Sequence, residues 1–336
     1  MEVTAPGEHP KFSIIVPIFN EEAVIAELCS RLKDTMAKLP GASEVVLVDD
    51  GSRDRSRDLI REVCASDPRF KLVGLSRNFG HQMAVTAGLE HASGDAVITM
   101  DADLQDPPEL LPDMIAKWQE GFDVVYGVRE DRSSDTRFKR GTARLFYRIL
   151  GRLTEFDIPA DVGDFRLVDR RVIDAVGRMP ERSRFLRGMF TWVGFKQTGV
   201  PYTRPERFAG ETKYTVRKMV NFAADGVINF SIVPLRLALN VGFVFVALSI
   251  LGAMVAVGAK LVGAFTIPGW ASITVAVLLL GGIQLFMLGV VGEYVGRIYE
   301  EVKARPLYLV SETAGFRPPA VNDRVDTRSD VDVTTV

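Results

Sequence analysis

Five apolar runs of strand length mark the first 130 residues, and helix-spaced apolar positions fill the gaps between them. The runs are Phe12–Phe19, Glu44–Asp50, Lys71–Leu75, Ala96–Met100 and Asp123–Tyr126. A helix is predicted from Glu21 to Lys38, Asp54 can cap the next, and one more falls between each later pair of strands. Strands rich in Val and Ile are buried on both faces, so this alternation predicts an α/β fold, a parallel sheet with helices on either side. A nicotinamide-binding domain has the same outline but needs G-x-G-x-x-G after its first strand. Pro17-Ile18-Phe19-Asn20-Glu21-Glu22 stands there instead, which excludes that class.

The pattern changes in the last third. Leu237–Ala259 holds no charged residue, and neither does Leu261–Gly292 after Lys260. About 20 apolar residues cross a bilayer core, so the first run predicts one membrane helix. The second run is too long for one span and is broken at Phe265-Thr266-Ile267-Pro268-Gly269, which places a hairpin turn there and a second helix from Trp270 to Glu293. Two buried helices of a soluble core would rarely go so long without charge. Arg236 precedes the pair, Arg297, Lys303 and Arg305 follow it, and the connecting loop has no Arg or Lys. The excess of positive charge outside the hairpin predicts a multi-pass protein of the cell inner membrane with both termini cytoplasmic. Before the hairpin, Val216, Met219, Val220, Ala223, Val227 and Phe230 recur at helical spacing, and their place just ahead of a span favours an interfacial helix over a core helix. Ser311–Val336 is polar, mixed in charge and expected to be disordered.

Of 336 residues 25% are charged, and the formal net charge of −2 gives no sign of a nucleic-acid partner. Basic residues nevertheless cluster: eight Arg/Lys against three Asp/Glu from Gly127 to Arg152, and ten against three from Arg178 to Lys218. Such patches are often solvated faces, but they also suit phosphates or an anionic membrane. Cys29 and Cys64 lack metal-ligand spacing and read as reduced core thiols. Residues 1–11 are polar with Pro and Gly and do not read as a signal peptide.

The candidate chemistry sits where strands end. Ala96–Met100 runs straight into Asp101-Ala102-Asp103-Leu104-Gln105, which puts two carboxylates at the carboxyl edge of the sheet, where open α/β folds bind ligands. Carboxylates so close repel unless a cation lies between them, and hard oxygen donors suit Mg²⁺ or Mn²⁺ holding a diphosphate. The first strand delivers Pro17, Asn20 and Glu21 to the same edge, and the second delivers Asp49, Asp50, Gly51 and Ser52. These groups can hydrogen-bond a base and ribose. Any one acid could simply cap a helix, but three loops together are harder to explain that way.

Ile15–Glu21, Val48–Ser52 and Asp101–Gln105 resemble the family 2 glycosyltransferases of the GT-A fold. Ser76-Arg77-Asn78-Phe79-Gly80, Gly163-Asp164-Phe165-Arg166-Leu167 and Gly210-Glu211-Thr212-Lys213-Tyr214 narrow the likeness to polyprenyl-phosphate glycosyltransferases, the bactoprenol glucosyltransferases and dolichol-phosphate mannose synthases, over Phe12 to Val310. The resemblance implies a GT-A Rossmann-like catalytic domain at 12–212 with a mostly parallel sheet. It is followed by the interfacial helix (213–236), the two transmembrane helices (237–296) and a cytoplasmic tail (297–336). It also implies inverting, metal-dependent sugar transfer from a nucleotide sugar to a polyprenyl phosphate. Pro17, Phe19, Asn20, Glu21, Asp49, Asp50, Ser52, Asp101 and Ala102 would line the nucleotide-sugar site, and Asp101, Asp103 and Gln105 would hold Mg²⁺ or Mn²⁺. Asp164 would serve as base or acceptor-orienting carboxylate, with Asp161 as its competitor, and a salt bridge to Arg166 or Arg170 is the plain alternative for either. Arg129, Arg166 and Lys213 are candidates for phosphate. His81 departs from the expected pattern and reads as a surface histidine at a helix start.

UDP-glucose and undecaprenyl phosphate are the favoured substrates, with GDP-mannose and a dolichol-type acceptor as the alternative. A processive polysaccharide synthase would carry Gln-x-x-Arg-Trp, which is missing. A non-catalytic scaffold that binds lipid carrier is disfavoured by the intact acids. Gly289, Gly292 and Gly296 fall at small-residue spacings that would permit helix contact in a homo-oligomer.

Overall fold

The structure, a computed structural model, describes residues 10–129, 162–203, 233–261 and 269–316. Asp161, Lys213, the Gly210–Tyr214 motif and nearly all of the expected interfacial helix lie outside these residues.

The strands and helices expected in the first 130 residues form: β1 (Phe12–Ile18), α1 (Ile25–Met36), β2 (Ser43–Asp49), α2 (Ser56–Ser66), β3 (Phe70–Leu75), α3 (His81–His91), β4 (Ala96–Thr99), α4 (Leu111–Gln119) and β5 (Val124–Arg129). Beyond them come β6 (Val162–Asp169), α5 (Arg170–Gly177), α6 (Leu186–Trp192), β7 (Gln197–Tyr202), α7 (Val233–Leu261), α8 (Trp270–Val302) and β8 (Val310–Ala314). Alternate residues of the central strands feed two cores. Ile14, Val16 and Ile18 pack with Leu28 and Leu32 of α1, while Ile15, Val46 and Val48 pack with Ala84 and Val85 of α3. A strand buried on both sides has no polar alternation to show, which is why β1 reads as a plain apolar run.

The strands make one sheet in the order β7-β5-β6-β4-β1-β2-β3-β8. The β3-β2-β1-β4 centre is parallel, as expected, but β6 runs antiparallel between β4 and β5, and β8 runs antiparallel beside β3. The sheet is therefore mixed. The chain steps from β1 outward to β2 and β3, then returns to place β4 on the other side of β1. Such a strand-order switch, here at the carboxyl ends of β1 and β4, is where open α/β sheets bind ligands.

The expected disorder after Ser311 is corrected over Val310–Ala314. That segment closes the exposed edge of β3, where an unpaired strand would leave its backbone groups open. Arg61 grips Glu312 through two nitrogens at 2.7 and 2.6 Å, the Ser311 hydroxyl donates to the Gly74 carbonyl at 3.0 Å, and Tyr308 donates to Glu90. α7 and α8 lie against each other and leave large apolar side chains such as Phe243, Leu248, Leu285 and Phe286 exposed. Among the described residues one stretch, Leu279–Val302, is long and apolar enough to cross a membrane, and Ala238–Gly252 of α7 is apolar over a shorter length. The backbone N–H of Arg182 donates to Glu301 at 2.8 Å and fastens the end of α8 to the sheet domain.

Candidate active site

Three loops at the carboxyl edge are locked together by their own polar groups. The Asn20 N–H donates to Ser52 Oγ at 3.0 Å, Asn20 Oδ1 accepts from the Arg53 N–H at 2.8 Å, and the Glu21 N–H donates to Ser56 Oγ at 2.9 Å. Asn20 takes a φ of +53°, a left-handed conformation that Asn tolerates better than most residues. Asp49 is fully buried and accepts from Arg57 Nε at 2.6 Å and from the Ser52 N–H at 3.2 Å. Asp50 is buried too, and it accepts from the backbone N–H groups of Phe79 at 2.7 Å and Gly80 at 3.0 Å. Burial pushes its carboxyl up, against those two hydrogen bonds. Of the residues expected to meet a nucleotide, Pro17, Phe19, Asn20, Glu21 and Ser52 are partly open, whereas Asp49 and Asp50 are spent on holding the loops.

Asp101 and Asp103 follow β4 and are partly exposed, with the Gln105 N–H donating to Asp103 Oδ1 at 3.1 Å and Ala102 buried between the acids. Asp101, Asp103 and Gln105 offer only oxygen donors. Among the described residues no three His, Cys, Asp or Glu side chains are grouped to enclose an ion. That donor set fits Mg²⁺ or Mn²⁺, which take one or two carboxylates and complete their shell with phosphate oxygens and water. Asp106, just beyond, is 2% exposed, and burial together with the charge of Asp101 pushes its carboxyl up to about 7. The end of β4 thus carries an excess of carboxylate that a cation would relieve.

Asp164 lies on β6 opposite this edge. The β4–β6 ladder pairs Ala96 with Asp169 and Thr99 with Arg166, so the same register continued two residues further sets Asp164 beside Asp101. The Thr99 hydroxyl fixes the Asp164 carbonyl at 2.5 Å. The Asp164 carboxylate accepts from Arg187 Nη2 at 3.1 Å and from Gln82 Nε2 at 3.4 Å, and lies 3.3 Å from His81 Nε2. Burial alone would raise its carboxyl, but Arg187, then His81 and Arg166, hold it well below the usual carboxylate range. His81 Nε2 also lies 3.8 Å from Asp101 Oδ1. Partial burial works against the charge on His81, yet the bond to Asp164 and the two acids push it up to about 9. The result is a row of alternating charge, Asp101–His81–Asp164–Arg187.

The reading of His81 as a surface residue is corrected here. It opens α3 directly after the Ser76–Gly80 motif, at the same edge as the acids, and that position was the signal available in the sequence. Nothing in the sequence pointed to Arg187, since only α6 packing brings it to Asp164. The salt bridge considered for Asp164 exists, but with Arg187. Arg166 is 3% exposed, with Nη2 donating to the Gly163 carbonyl at 2.9 Å and its guanidinium over the Phe190 ring. Arg170 serves the carbonyls of Ala92 and Gly94. Arg129, half-buried at the end of β5, donates to the Tyr202 hydroxyl at 3.4 Å.

Residues 13–177 match glycosyl transferase family 2, and residues 233–298 match the GtrB C-terminal hairpin. The chain is 50% identical to the glycosyltransferase YkcC of Bacillus subtilis over 310 residues, covering 92% of this chain and 96% of that one. It is 46% identical to the glycosyltransferase sll0501 of Synechocystis over 306 residues, 91% of this chain and 96% of that one. Against the SfII prophage-derived bactoprenol glucosyl transferase of Shigella flexneri, identity is 42% over 308 residues, 92% of this chain and the whole of that one, at 100%. The family match over 13–177 and near full-length identity to these relatives agree: the chain belongs to glycosyl transferase family 2 and is a glycosyltransferase.

Proposed function

We propose that the enzyme transfers glucose from UDP-glucose to undecaprenyl phosphate, or a closely related polyprenyl phosphate, at the cytoplasmic face of the cell inner membrane. The product is a polyprenyl-phosphate monosaccharide, inverted at the anomeric carbon. The observation that carries this reading is the Asp101–His81–Asp164–Arg187 row at the carboxyl edge of the sheet, on a chain that carries a GtrB-type hairpin at 233–298. The name of the Shigella relative, a bactoprenol glucosyl transferase, supports both the acceptor class and the sugar.

The acceptor is a phosphate monoester whose second pKa of about 6 leaves it largely dianionic at neutral pH, so it is a nucleophile without help. Its oxygen bonds to the anomeric carbon as the bond from that carbon to the diphosphate breaks, and the nucleoside diphosphate leaves with the electron pair. Asp101, Asp103 and Gln105 would hold Mg²⁺ or Mn²⁺, and the cation would supply positive charge to offset the negative charge growing on the departing diphosphate. Pro17, Phe19, Asn20, Glu21 and Ser52 line the nucleotide side, with Ala102 beneath, while Asp49 and Asp50 fix its walls. Asp164 is too acidic to be a strong proton acceptor. Its role is to orient the acceptor, in a geometry held by Arg187 and Gln82. Arg129, and beyond the described residues Lys213 and Asp161, are the remaining candidates to meet phosphate or share that role.

α7 and α8 act as a two-span anchor. The path of the chain supports this: β1–β7 precede the hairpin, and β8 rejoins the same sheet after it, so the number of crossings must be even. The interfacial helix at 213–236 would then bring Lys213 to the lipid phosphate as it leaves the bilayer. Among the described residues nothing lies within 4 Å of where a Cβ on Gly289, Gly292 or Gly296 of α8 would be, and these small residues suit contact with a second helix in a homo-oligomer.

The test is to incubate purified protein with Mn²⁺ or Mg²⁺, undecaprenyl phosphate and a panel of UDP- and GDP-sugars, with glycolipid read by mass spectrometry. Glucosylated lipid from wild type, and none from Asp103→Ala, is expected. Product only from GDP-mannose would replace the donor. Silence on every donor, with dolichyl phosphate also tried, would overturn the reading in favour of a carrier-binding scaffold.

A further inference from the structure

The loop that carries Asp101 and Asp103 is tied to a strand three places away in the sheet. Tyr202 belongs to β7, at the far end of the β7-β5-β6-β4 row, yet its hydroxyl donates to Asp106 Oδ1 at 2.9 Å. The other oxygen, Oδ2, accepts from the Asp101 N–H at 3.4 Å, and Arg129 Nε donates to the Tyr202 hydroxyl at 3.4 Å. Asp106 and Tyr202 are 2% and 5% exposed. The tyrosine has little freedom. Its ring meets Phe165 edge-on at 5.8 Å, and a Cβ on Gly127 would come within 2.8 Å of its Cε1. Between the acids and Asp106, Leu104 holds a φ of +59°, a left-handed conformation that is unfavourable for a residue of its kind and persists only where the surroundings enforce it. A buried carboxylate is also a costly way to fill space, since an apolar pair would pack without desolvating a charge. Both oxygens of Asp106 face named donors of the protein and the residue is buried, so it sits as a brace between the loop and β7.

We propose that Asp106, Tyr202 and Arg129 are positioning residues, a tether that sets the shape of the Asp101–Asp103 loop and with it the affinity of the site for its divalent cation. This rests on the metal-dependent reading above. The tether explains how a half-buried loop with strained backbone can present two carboxylates in a fixed arrangement, and why β7, at the far end of the sheet, bears on the chemistry.

Mn²⁺ binding to the full-length protein, titrated by the electron paramagnetic resonance of free Mn²⁺ without donor or acceptor, tests it directly. Tyr202→Phe removes one hydroxyl and keeps the ring. Groups that orient metal ligands typically carry about ten- to a hundredfold in affinity, so about a tenfold loss is expected for Tyr202→Phe and for Asp106→Asn. The donor KM should rise with it while the acceptor KM stays put. Arg129→Met, at the outer end of the tether, should lose less. Mn²⁺ affinity within about twofold of wild type in folded Tyr202→Phe would overturn the tether, whatever its thermal midpoint. Wild type that binds Mn²⁺ would leave the metal reading standing in that case; wild type that binds none would overturn both.

Discussion

Gly51 and Gly121 both have positive φ, +71° and +92°, but only Gly51 is pressed against another segment. A Cβ on Gly51 would lie 2.4 Å from the carbonyl carbon of Arg77 and 2.6 Å from the Asn78 nitrogen, whereas one on Gly121 would meet nothing within 4 Å. The obstacle at Gly51 is backbone, which cannot rotate away. Carbon atoms rest about 3.5–4 Å apart, so alanine there would drive the β3–α3 loop back by about 1 Å. Asp50, the preceding residue, would then lose hold of the Phe79 and Gly80 N–H groups that satisfy its buried carboxylate at 2.7 and 3.0 Å. Gly121→Ala is expected to cost only the left-handed conformation, about 1–2 kcal/mol. Gly51→Ala adds hydrogen bonds to a charged group, worth about 1.5–3 kcal/mol apiece, of which a part is recovered by relaxation, for a total of about 4 kcal/mol. At about 2–4 °C per kcal/mol for a domain of this size, the thermal midpoint in detergent should fall by a few degrees for Gly121→Ala and by about 10 °C for Gly51→Ala. Because the displaced loop walls the proposed nucleotide side, Gly51→Ala should also raise donor KM, and Gly121→Ala should not. Equal midpoint losses in the two variants would refute the reasoning, since the loop contact is all that separates them.

Two further perturbations test the electrostatics. Arg187→Gln removes the main cation holding Asp164; if Asp164 orients the acceptor, kcat should drop by about 10–100-fold, the equivalent of one charged hydrogen bond of about 1.5–3 kcal/mol. If Asp164 is instead a base, the substitution would raise its pKa, strengthen it, and leave kcat level while the acid limb of the pH–rate profile moves up, an outcome that sinks the orienting role. The second concerns stability. Burial would raise the carboxyl of Glu44, but Lys71, Ser13 and Ser93 outweigh it and hold it below the ordinary value. A depressed folded-state pKa contributes stability that is whole above the unfolded value, about 4.3, and drains away as pH falls through the folded one. The wild-type midpoint should therefore fall more steeply than that of Glu44→Gln as pH drops from 6 to below about 4; parallel curves would show that the pair contributes nothing.

Local pattern sufficed for the sheet centre. β1 to β5 and their helices were legible because each apolar run is continuous and each helix has its own spacing, and the end of β4 announced its acids. The antiparallel strands were not legible. β6 begins at Val162 in a stretch whose pairing with β4 and β5 is antiparallel and long-range, and no local period encodes which neighbours a strand will choose. β8 was hidden for a different reason. Val310-Ser311-Glu312-Thr313-Ala314 is short and polar, and its strand character comes from an open β3 edge plus the grip of Arg61 on Glu312, more than two hundred residues apart in the chain.

The same distinction runs through the site. Motif residues at strand ends were found, because a strand end is a local property. Asp164 was found only as part of a motif, and what makes it special, adjacency to Asp101, follows from a register that neither strand carries alone. His81 was one step from legible: it opens α3 with a side chain 36% exposed, as a helix-start surface residue would, but the loop after β3 delivers it to the edge that holds Asp101 and Asp164. Arg187 and Tyr202 were out of reach, since α6 and β7 meet the site only through packing. Of the residues read from the sequence, Asp101 and Asp103 stay partly open and are the ones proposed to meet substrate or metal, whereas Asp49 and Asp50, like Arg187 and Tyr202 recovered from the fold, hold their neighbours in place. If that division is physical, substitutions in the second group should act on geometry, through KM or metal affinity or the pH profile, and not by deleting a reacting group. Tyr202→Phe and Arg187→Gln are its sharpest cases.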